Sequence, residues 1–529
     1  MNDRSDQAQQ ALLVQRLGAV LSAQGQPCRL FETHISWVLV TPEYAYKIKK
    51  ALKFDVLDYS TLYARRRLCE EEVRLNRRLA PELYLDMVPV TGTYAEPALG
   101  GEGARIEYTV RMHAFPQEAL WTARLAQGQL TVAEVEALAD KLAAFHRQAA
   151  VAPAGTPWGS VRTVDRGARQ DLATVEAQAG CAAMRAQAHL LTVWLSTQDR
   201  ALDLIGQRKD QGYVRECHGD LHCANILTLD GQVQVFDCIE FNDDLRWIDV
   251  VNDLAFAVMD LRFHGQPGLA AILLERYLEA GGDYSGLAVL GYYLTLRAVV
   301  RAKVCLLRAN ALSGPAAAEQ TELARRYLAF AAASVQPARP PLVIAHGYSG
   351  SGKTYYSGRL ARAIDGIRIR SDVERKRLHG LAPSARMAAP AGAGIYSDDS
   401  TRATYARLLE LARYGLRAGL PVVVDASFLQ RWQREPFERI AGERGAQFRI
   451  LHLRAGARTL RARLVRRMGE GRDASDAGPE LLARQAAISD TLSARERRHT
   501  CVINTESADA DGALAALAAA LRTNADGGQ

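Results

Sequence analysis

Two groups of residues along this chain have the types and spacing that phosphoryl-transfer chemistry needs. The first is a glycine-rich run whose candidate phosphate-binding residues are Gly347, Ser349, Gly350, Ser351, Gly352, Lys353 and Thr354. Glycines allow successive backbone N–H groups to point into one concavity, which binds phosphate together with the N-terminus of the following helix. The lysine of such a loop reaches the terminal phosphates, and the threonine hydroxyl binds Mg²⁺. The run therefore predicts a site for ATP and Mg²⁺.

The second group lies in HGDLHCANI, residues 218–226, and continues in VFD, residues 235–237. The pattern contains an aspartate, an asparagine five residues later and a second aspartate at the end of a strand. The first aspartate can accept a proton, and the other two side chains can supply oxygen ligands for Mg²⁺. We therefore predict Asp220 as the catalytic base and Asn225 and Asp237 as metal ligands.

A zinc site is the alternative interpretation of this second group. Its candidate ligands are Cys217, His218, His222, Cys223 and Cys238. The residue types suit zinc, but adjacent Cys-His pairs point apart on an extended backbone, and the usual gap of two to four residues between paired cysteines is missing. The magnesium interpretation is therefore preferred.

The second group resembles the catalytic loop of the aminoglycoside phosphotransferase group, which shares the protein-kinase-like fold. The resemblance implies a strand lysine for the ATP phosphates and a helix glutamate that holds it. Lys47 and Lys49 both fit the lysine, with Lys47 preferred, and Glu72 fits the glutamate, with Glu71 as the alternative. Met112 stands where the adenine-binding hinge should fall.

Downstream of the glycine-rich run, Asp372 and Arg375 follow an apolar strand pattern. This Asp-x-x-Arg segment resembles the P-loop kinases that include polynucleotide kinase, gluconate kinase, chloramphenicol phosphotransferase and the zeta toxins. The resemblance implies that Asp372 accepts the proton of the acceptor hydroxyl and that Arg375 holds an anionic part of the substrate. Asp425, at the end of the strand pattern VVVD, is suited to hold water on Mg²⁺.

Three further residues fit the same resemblance. Arg463 and Arg467 lie four apart on one predicted helix and precede residues 471–477, which resemble the mobile lid of these kinases. Lid arginines stabilise charge on the transferring phosphoryl group. Asn504 falls in a segment that resembles the loop beside adenine.

The hydrophobic pattern places these groups in two domains. Alternating apolar residues predict a small sheet lobe over 28–115. Apolar residues at helical spacing predict a helical lobe over 130–335 with an inset hairpin. A proline-rich linker follows at 336–341. Short apolar strands that alternate with helices over 342–522 predict a P-loop parallel sheet with helices on both faces, and 523–529 form a tail. The fold class is therefore α/β and α+β, with a bilobal protein-kinase-like domain at the N-terminus.

Composition restricts the class of protein further. The chain has 529 residues, 48% of them apolar and 24% charged, which is ordinary for a globular protein of two domains. No secretion signal or run of about 18 apolar residues is visible, so no membrane span is expected. Its eight scattered cysteines fit a reducing compartment. We expect a cytoplasmic protein.

Three arginines of the helical lobe leave two interpretations open. Arg297, Arg301 and Arg308 lie on one face of a predicted helix, with Lys303 off that line. A solvated face is preferred, and a pocket for an anionic acceptor is the alternative.

These observations predict an ATP- and Mg²⁺-dependent phosphotransferase with two nucleotide sites. The acceptor is expected to be a small-molecule hydroxyl or a nucleic-acid 5′-hydroxyl. One alternative is a regulatory ATP-binding protein whose N-terminal half senses a ligand and gates the P-loop domain. Another is nucleic-acid binding without catalysis, which the arginines around the lid suggest.

Overall fold

A computed structural model describes residues 3–23, 27–54, 57–336, 339–382, 385, 394–470 and 480–526. The chain divides into two compact units. The first comprises Met1–Asp260 and Leu296–Ala331, and the second comprises Leu261–Thr295 and Ala332–Gln529. The second unit includes Leu261–Thr295, which the sequence pattern assigns to the N-terminal domain. The domain boundaries stay a prediction.

The first unit contains one antiparallel sheet with the strand order β1-β2-β3-β8-β6-β7, a β10–β11 hairpin and two further strand pairs. Its strands are β1 (Arg29–Glu32), β2 (Ser36–Val40), β3 (Tyr44–Lys49), β4 (Lys53–Phe54), β5 (Leu57–Asp58), β6 (Tyr84–Gly92), β7 (Pro97–Leu99), β8 (Arg105–His113), β9 (Val214–Glu216), β10 (Ile226–Leu229), β11 (Gln232–Val235) and β12 (Trp247–Asp249). The predicted sheet lobe and the inset hairpin are therefore present.

Helices fill most of the chain between the first sheet and the glycine-rich run. They are α1 (Asp3–Ala23), α2 (Leu62–Asn76), α3 (Trp121–Ala126), α4 (Val132–Gln148), α5 (Val161–Gln178), α6 (Ala182–Leu195), α7 (Asp199–Asp210), α8 (Asp243–Arg246), α9 (Val250–Phe263), α10 (Pro267–Gly281), α11 (Leu287–Ala311) and α12 (Gly314–Ser334).

Helix α2 shows how local sequence places a functional side chain. It begins after Thr61, whose hydroxyl accepts a hydrogen bond from the backbone N–H of Ala64 and so caps the helix. Leu68, Glu72 and Leu75 lie on its buried face, at the spacing that repeats once per turn. Burial of the two leucines therefore turns Glu72 toward the protein interior.

The second unit is built on a five-stranded parallel sheet with the order β14-β15-β13-β16-β17. Its strands are β13 (Leu342–His346), β14 (Ile367–Arg370), β15 (Val422–Asp425), β16 (Phe448–Arg454) and β17 (Thr500–Asn504). Its later helices are α13 (Lys353–Ala363), α14 (Ser371–Leu378), α15 (Asp398–Arg417), α16 (Arg431–Glu443), α17 (Ala457–Glu470), α18 (Leu481–Ile488), α19 (Ala494–Arg498) and α20 (Ala510–Asp526). The predicted α/β architecture is confirmed.

Apolar burial holds this second sheet together. Strand β13 is buried along its whole length, and residues of β13, α13 and α20 share one hydrophobic cluster. Strands that are covered on both faces read as continuous apolar runs, which is why they stand out in the sequence. Among the described residues, no helix is both long and apolar enough to cross a membrane.

Candidate active sites

Two lysines of β3 contact one glutamate of α2. Lys47 Nζ lies 2.8 Å from Glu72 Oε1, and Lys49 Nζ lies 2.5 Å from Glu72 Oε2. Burial alone would raise the pKa of Glu72, but the two ammonium groups outweigh burial and hold that pKa below its ordinary value. The alternative glutamate, Glu71, pairs with Arg74. Glu72 is therefore the carboxylate that joins both predicted phosphate-binding lysines.

The other partners of the two lysines differ. Lys47 Nζ lies 2.5 Å from Asp237 Oδ1, whereas Lys49 pairs with Glu240. The Glu240 carboxylate also accepts a hydrogen bond from the Tyr59 hydroxyl. The side chain of Lys47 is 12% exposed and that of Lys49 only 1%. Lys47 thus faces the predicted metal ligand, while Lys49 is enclosed in a buried ion-pair network. Sequence reasoning missed Glu240 and Tyr59, which no motif marks.

Asp237 has a left-handed backbone conformation, with φ of 63°. Aspartate is among the few residues other than glycine that tolerate this conformation. The Asp237 N–H donates to the Tyr84 hydroxyl at 3.3 Å, and the next N–H, of Cys238, donates to Asn76 Oδ1 at 2.9 Å. These two hydrogen bonds hold the turn, and the Asp237 side chain remains 44% exposed. The carboxylate is therefore both fixed in place and accessible.

Asp220 and Asn225 meet at the turn before β10. The Asn225 side-chain amide donates to the backbone oxygen and to Oδ2 of Asp220, both at 3.0 Å. His222 Nε2 lies 3.3 Å from the same Oδ2. Burial would raise the pKa of Asp220, but His222 and Arg301 outweigh it and hold the pKa well below its usual range. Asp220 is therefore ionised at neutral pH and can accept a proton.

The loop that carries Asp220 is held by a buried aspartate. Asp253 accepts hydrogen bonds from the backbone N–H groups of His218 and Gly219, at 3.0 and 2.8 Å, and contacts His146 Nε2 at 3.1 Å. Gly219 has φ of 88°, and a Cβ there would lie 2.6 Å from the Leu245 backbone oxygen. Glycine is thus required at this position by both conformation and space. Asp253 therefore braces the loop.

The residues of the zinc alternative do not converge. His218 Nε2 contacts the Phe236 backbone oxygen, and Cys238 Sγ donates to the backbone oxygen of His218. Within the described part of the chain, one cluster of three potential metal ligands exists, and it consists of His146, Cys217 and Asp253. Because both oxygens of Asp253 already accept hydrogen bonds there, this cluster is a hydrogen-bonded brace rather than a metal site.

Two other expectations for the first unit concern Met112 and the arginine stripe. Met112 is buried inside β8, which continues to His113, and it packs in a hydrophobic cluster. Its role beside adenine stays a prediction.

The solvated-face interpretation of the arginine stripe is wrong for Arg297, which is only 8% exposed, and for Arg301, which is largely buried. Arg308 is exposed, as expected.

In the second unit, the glycine-rich run forms the turn between β13 and α13. Gly350 and Gly352 have φ of 82° and 94°, and a Cβ at Gly350 would lie 2.8 Å from the Leu460 backbone oxygen. Lys353 Nζ donates to the backbone oxygens of Gly347 and Tyr348, both at 2.9 Å. The run therefore forms the strand–loop–helix structure that a phosphate-binding loop requires.

Three predicted residues lie at the same edge of the parallel sheet. Asp425 ends β15 and is the register partner of Arg370, which ends the neighbouring strand β14. Asp372 lies in the first turn of α14, directly after β14, and Lys353 follows β13. Burial raises the pKa of Asp425, against the opposing effects of Arg368, Arg370 and Lys353. The carboxyl ends of the strands thus bring Lys353, Asp372 and Asp425 to one place.

Two glutamates of α10 contact this edge within the second unit. Glu275 pairs with Arg368 at 2.8 Å, and Glu279 pairs with Arg370 at 3.1 Å. Sequence reasoning missed both because Arg368 and Glu275 are 93 positions apart and belong to no motif. The pairs fix the arginines that flank Asp425.

The remaining predicted residues of this site have varied surroundings. Arg375 is 8% exposed and donates to the Ile395 backbone oxygen at 2.9 Å and to Thr401 Oγ1 at 3.3 Å. Asn504 is exposed at the end of β17 and accepts a hydrogen bond from the Glu506 N–H. The substrate-holding role of Arg375 and the adenine-side role of Asn504 stay predictions.

Both predicted lid arginines lie on α17. Arg463 donates to Thr505 Oγ1 at 2.8 Å and to the Gly350 backbone oxygen at 3.3 Å, so it links the phosphate-binding loop to the segment after β17. Arg467 belongs to α17, but its side chain lies outside the described residues, as do residues 471–477.

Gln485 of α18 contacts the phosphate-binding loop and was not predicted. Its Oε1 accepts a hydrogen bond from the Ser349 N–H at 2.9 Å, and its Nε2 donates to Ser349 Oγ at 3.0 Å. Because Gln485 is also buried, this side chain fixes the first half of the loop.

The available donors in both units suit magnesium. Asp237 and Asn225 offer a carboxylate and an amide oxygen in the first unit, and Thr354 and Asp425 offer a hydroxyl and a carboxylate in the second. Mg²⁺ prefers such oxygen ligands. Gly350 and Gly352 both have positive φ, a conformation that lets successive backbone N–H groups of a loop point toward one anion.

Two family models match separate parts of the chain. Residues 58–290 match the model of the phosphotransferase enzyme family, and residues 342–491 match the model of an AAA domain. The uncharacterized protein Rv2004c of Mycobacterium tuberculosis is 29% identical over 476 residues, which cover 88% of this chain and 93% of the relative.

Two solved structures are among those similar to part of this chain. A choline kinase from Cryptosporidium parvum covers 61% of this chain and 94% of its own, at 11% identity and a TM-score of 0.38. A gluconokinase from Sinorhizobium meliloti covers 36% of this chain and 97% of its own, at 22% identity and a TM-score of 0.26.

Proposed function

We propose that this chain, which matches the phosphotransferase enzyme family over residues 58–290 and an AAA domain over 342–491, is an ATP-dependent phosphotransferase with two MgATP sites, each of which transfers the γ-phosphate to a hydroxyl. The observation that carries this proposal is the ion pair of Lys47 with both Glu72 and Asp237. It assembles the phosphate-binding lysine, its holder and a metal ligand from three separate segments.

In the N-terminal site, Lys47 binds the ATP phosphates and Glu72 keeps its ammonium in position. Asn225 and Asp237 hold Mg²⁺, which neutralises charge on the phosphates. Asp220 takes the proton of the acceptor hydroxyl as the acceptor oxygen bonds to the γ-phosphorus. The bond from that phosphorus to the bridging oxygen breaks, and ADP leaves. The chain contributes mainly position and charge stabilisation.

In the C-terminal site, the phosphate-binding loop and Lys353 bind the β- and γ-phosphates. Thr354 and Asp425 hold Mg²⁺ and its water, and Asp372 takes the proton of the second acceptor hydroxyl. Arg463 links the phosphate-binding loop to the segment after β17 through its hydrogen bonds to Gly350 and Thr505.

Mutation of the two proposed bases tests this function. Transfer from γ-labelled ATP is measured against a panel of hydroxyl compounds for Asp220→Asn and Asp372→Asn, with the exposed Asp203→Asn and Asp399→Asn as matched controls. In each base variant the rate of one transfer reaction should fall about 100-fold or more, because general-base catalysis is removed. Equal rates in a base variant and its control would rule out that base.

We also propose a small-molecule hydroxyl as acceptor of the N-terminal site, and a small-molecule or nucleic-acid 5′-hydroxyl as acceptor of the C-terminal site. A cytoplasmic location, where ATP and reduced thiols are available, is part of the same proposal. All eight cysteines are free thiols in the structure.

A further inference from the structure

Two arginines of α11 lie beside the loop that carries Asp220. Arg297 and Arg301 are four residues apart and so project from one face of the helix. The Arg297 guanidinium lies 4.7 Å from the centre of the Phe256 ring, and His222 packs its own ring against Phe256 at 5.3 Å. The arginines are therefore part of the surroundings of the catalytic loop.

Neither arginine is neutralised by an ion pair. Among the described residues, no carboxylate oxygen lies within salt-bridge distance of Arg297 or Arg301. Arg297 Nη2 and Arg301 Nε are buried without a hydrogen-bond partner. The Arg297 Nε donates only to the Asn252 backbone oxygen, at 3.3 Å. A buried charge without a paired charge is costly, and burial lowers the pKa of Arg297, so an anion beside its guanidinium would offset that cost.

The neighbouring carboxylates are committed to other donors. Both oxygens of Asp253 accept backbone N–H groups of the catalytic loop. Asp260 accepts the Cys223 N–H at 2.8 Å and the Tyr327 hydroxyl at 3.1 Å. These acidic groups reduce the positive potential near the arginines. Arg301 also has the Tyr327 hydroxyl and His222 Nε2 as polar neighbours, so the nitrogens left without a partner are Arg297 Nη2 and Arg301 Nε.

The His222 imidazole connects Arg301 to the proposed base Asp220. Arg301 Nη1 is 3.1 Å from His222 Nε2, and the same Nε2 is 3.3 Å from Asp220 Oδ2. A hydroxyl that donates to Asp220 therefore lies close to a guanidinium. An acceptor that uses both contacts must have its anionic group a few bonds from the hydroxyl that is phosphorylated.

We propose that the acceptor of the N-terminal site is a small hydroxy compound with a carboxylate or phosphate group, which Arg297 and Arg301 bind while its hydroxyl faces Asp220. This inference rests on the proposed N-terminal function, because Asp220 defines the hydroxyl position. It replaces the solvated-face interpretation of the stripe with a substrate site.

Binding of inorganic phosphate tests the anion site without catalysis. Calorimetric titrations use the full chain with Lys353→Ala, which removes the P-loop lysine, and add Arg301→Gln, Arg301→Lys or the exposed control Arg308→Gln. Arg301→Gln should weaken phosphate binding about tenfold or more, since a charge-assisted hydrogen bond is lost. Arg301→Lys should retain most of the binding, and Arg308→Gln should not change it. Absence of saturable binding, or equal effects of Arg301→Gln and Arg308→Gln, would overturn the proposal.

Paired acceptors then separate this inference from the proposed function. Transfer is measured with glycerate against glycerol and with gluconate against glucose, in the same Lys353→Ala background. The anionic member of a pair should be preferred, and Arg301→Gln should raise its KM about tenfold with a smaller change in kcat. Transfer that needs Asp220 but ignores both the charge of the acceptor and Arg301 would refute the anionic acceptor and leave the kinase function standing. Phosphate binding through Arg301 with transfer unaffected by Asp220→Asn would refute the N-terminal kinase function and, with it, the acceptor role of the anion site.

Discussion

The Lys47 ammonium and the Asp237 carboxylate lie 2.5 Å apart, although the two residues are separated by 190 positions in the chain. Strand β3 supplies the lysine, and the turn after β11 supplies the aspartate. The contact distinguishes Lys47 from Lys49, which the sequence left open, because Lys49 pairs with Glu240 instead. The two lysines of one strand thus have different surroundings, and their replacement should have different effects on transfer and on stability.

Lys47→Met should abolish N-terminal phosphotransfer with little loss of stability. The proposed phosphate ligand disappears, while Glu72 keeps Lys49 as a partner and Asp237 is accessible to water. We expect transfer to fall about 100- to 1,000-fold. The free energy of unfolding should fall by about 1–2 kcal/mol, less than for Lys49→Met, because Asp237 is 44% exposed whereas Glu240 is buried. Rate measurements together with urea unfolding of the same variant check both values.

Lys49→Met should instead destabilise the fold. Removal of its ammonium leaves Glu240 and half of the Glu72 charge buried without compensation, which costs about 3–5 kcal/mol. Lys50→Met is the matched control, because Lys50 pairs with the exposed Glu32. A Lys49→Met protein as stable as the Lys50→Met control would contradict the structural role of Lys49.

Arg463→Ala should weaken nucleotide binding at the P-loop more than it slows transfer. The guanidinium links Gly350 to Thr505 and so supports the loop rather than the transferring phosphoryl group. We expect KM for ATP to rise about tenfold with kcat reduced less than that. The exposed Arg461→Ala serves as control. A large fall in kcat at unchanged KM would favour the lid role that the sequence suggests.

His346 should make the protein less stable as the pH falls below about 6.5. Burial lowers the pKa of His346 to about 3, with help from His452, and neither ring nitrogen has a hydrogen-bond partner. Between these values the unfolded chain binds a proton that the folded chain does not. Stability from this residue is therefore complete above the unfolded pKa and falls by up to about 1.4 kcal/mol per pH unit on acidification.

Unfolding titrations of His346→Leu from pH 7 to pH 4.5 measure this contribution. In the variant, the free energy of unfolding should depend less steeply on pH than in the wild type. Replacement of the exposed His264 by Gln should not alter this dependence. Parallel pH profiles for wild type and His346→Leu would show that His346 is not held neutral.

The second unit was predictable because its strands are buried on both faces. The apolar runs at β13, β15 and β16 mark those strands, and the phosphate-binding loop follows β13 as a known motif. In the same way HGD and the later aspartate mark Asp220 and Asp237. Local pattern suffices where chemistry and burial act on neighbouring residues.

Long-range partners were not predictable from the sequence. Glu240 is 191 positions from Lys49, and Gln485 is 136 positions from Ser349. Neither has a spacing that connects it to its partner. The solvated-face interpretation of the arginine stripe was wrong for a related reason. Helical periodicity shows that Arg297 and Arg301 share a face, but it does not show that other elements cover that face.

The most direct test of two active sites is one transfer experiment on four proteins. Label transfer from γ-labelled ATP to the acceptor panel is measured for wild type, Asp220→Asn, Lys353→Ala and the double variant. Two independent sites predict that each single variant loses a different labelled product and that the double variant loses both. If Asp220→Asn leaves every transfer rate unchanged, the N-terminal half is not a kinase and the account is contradicted.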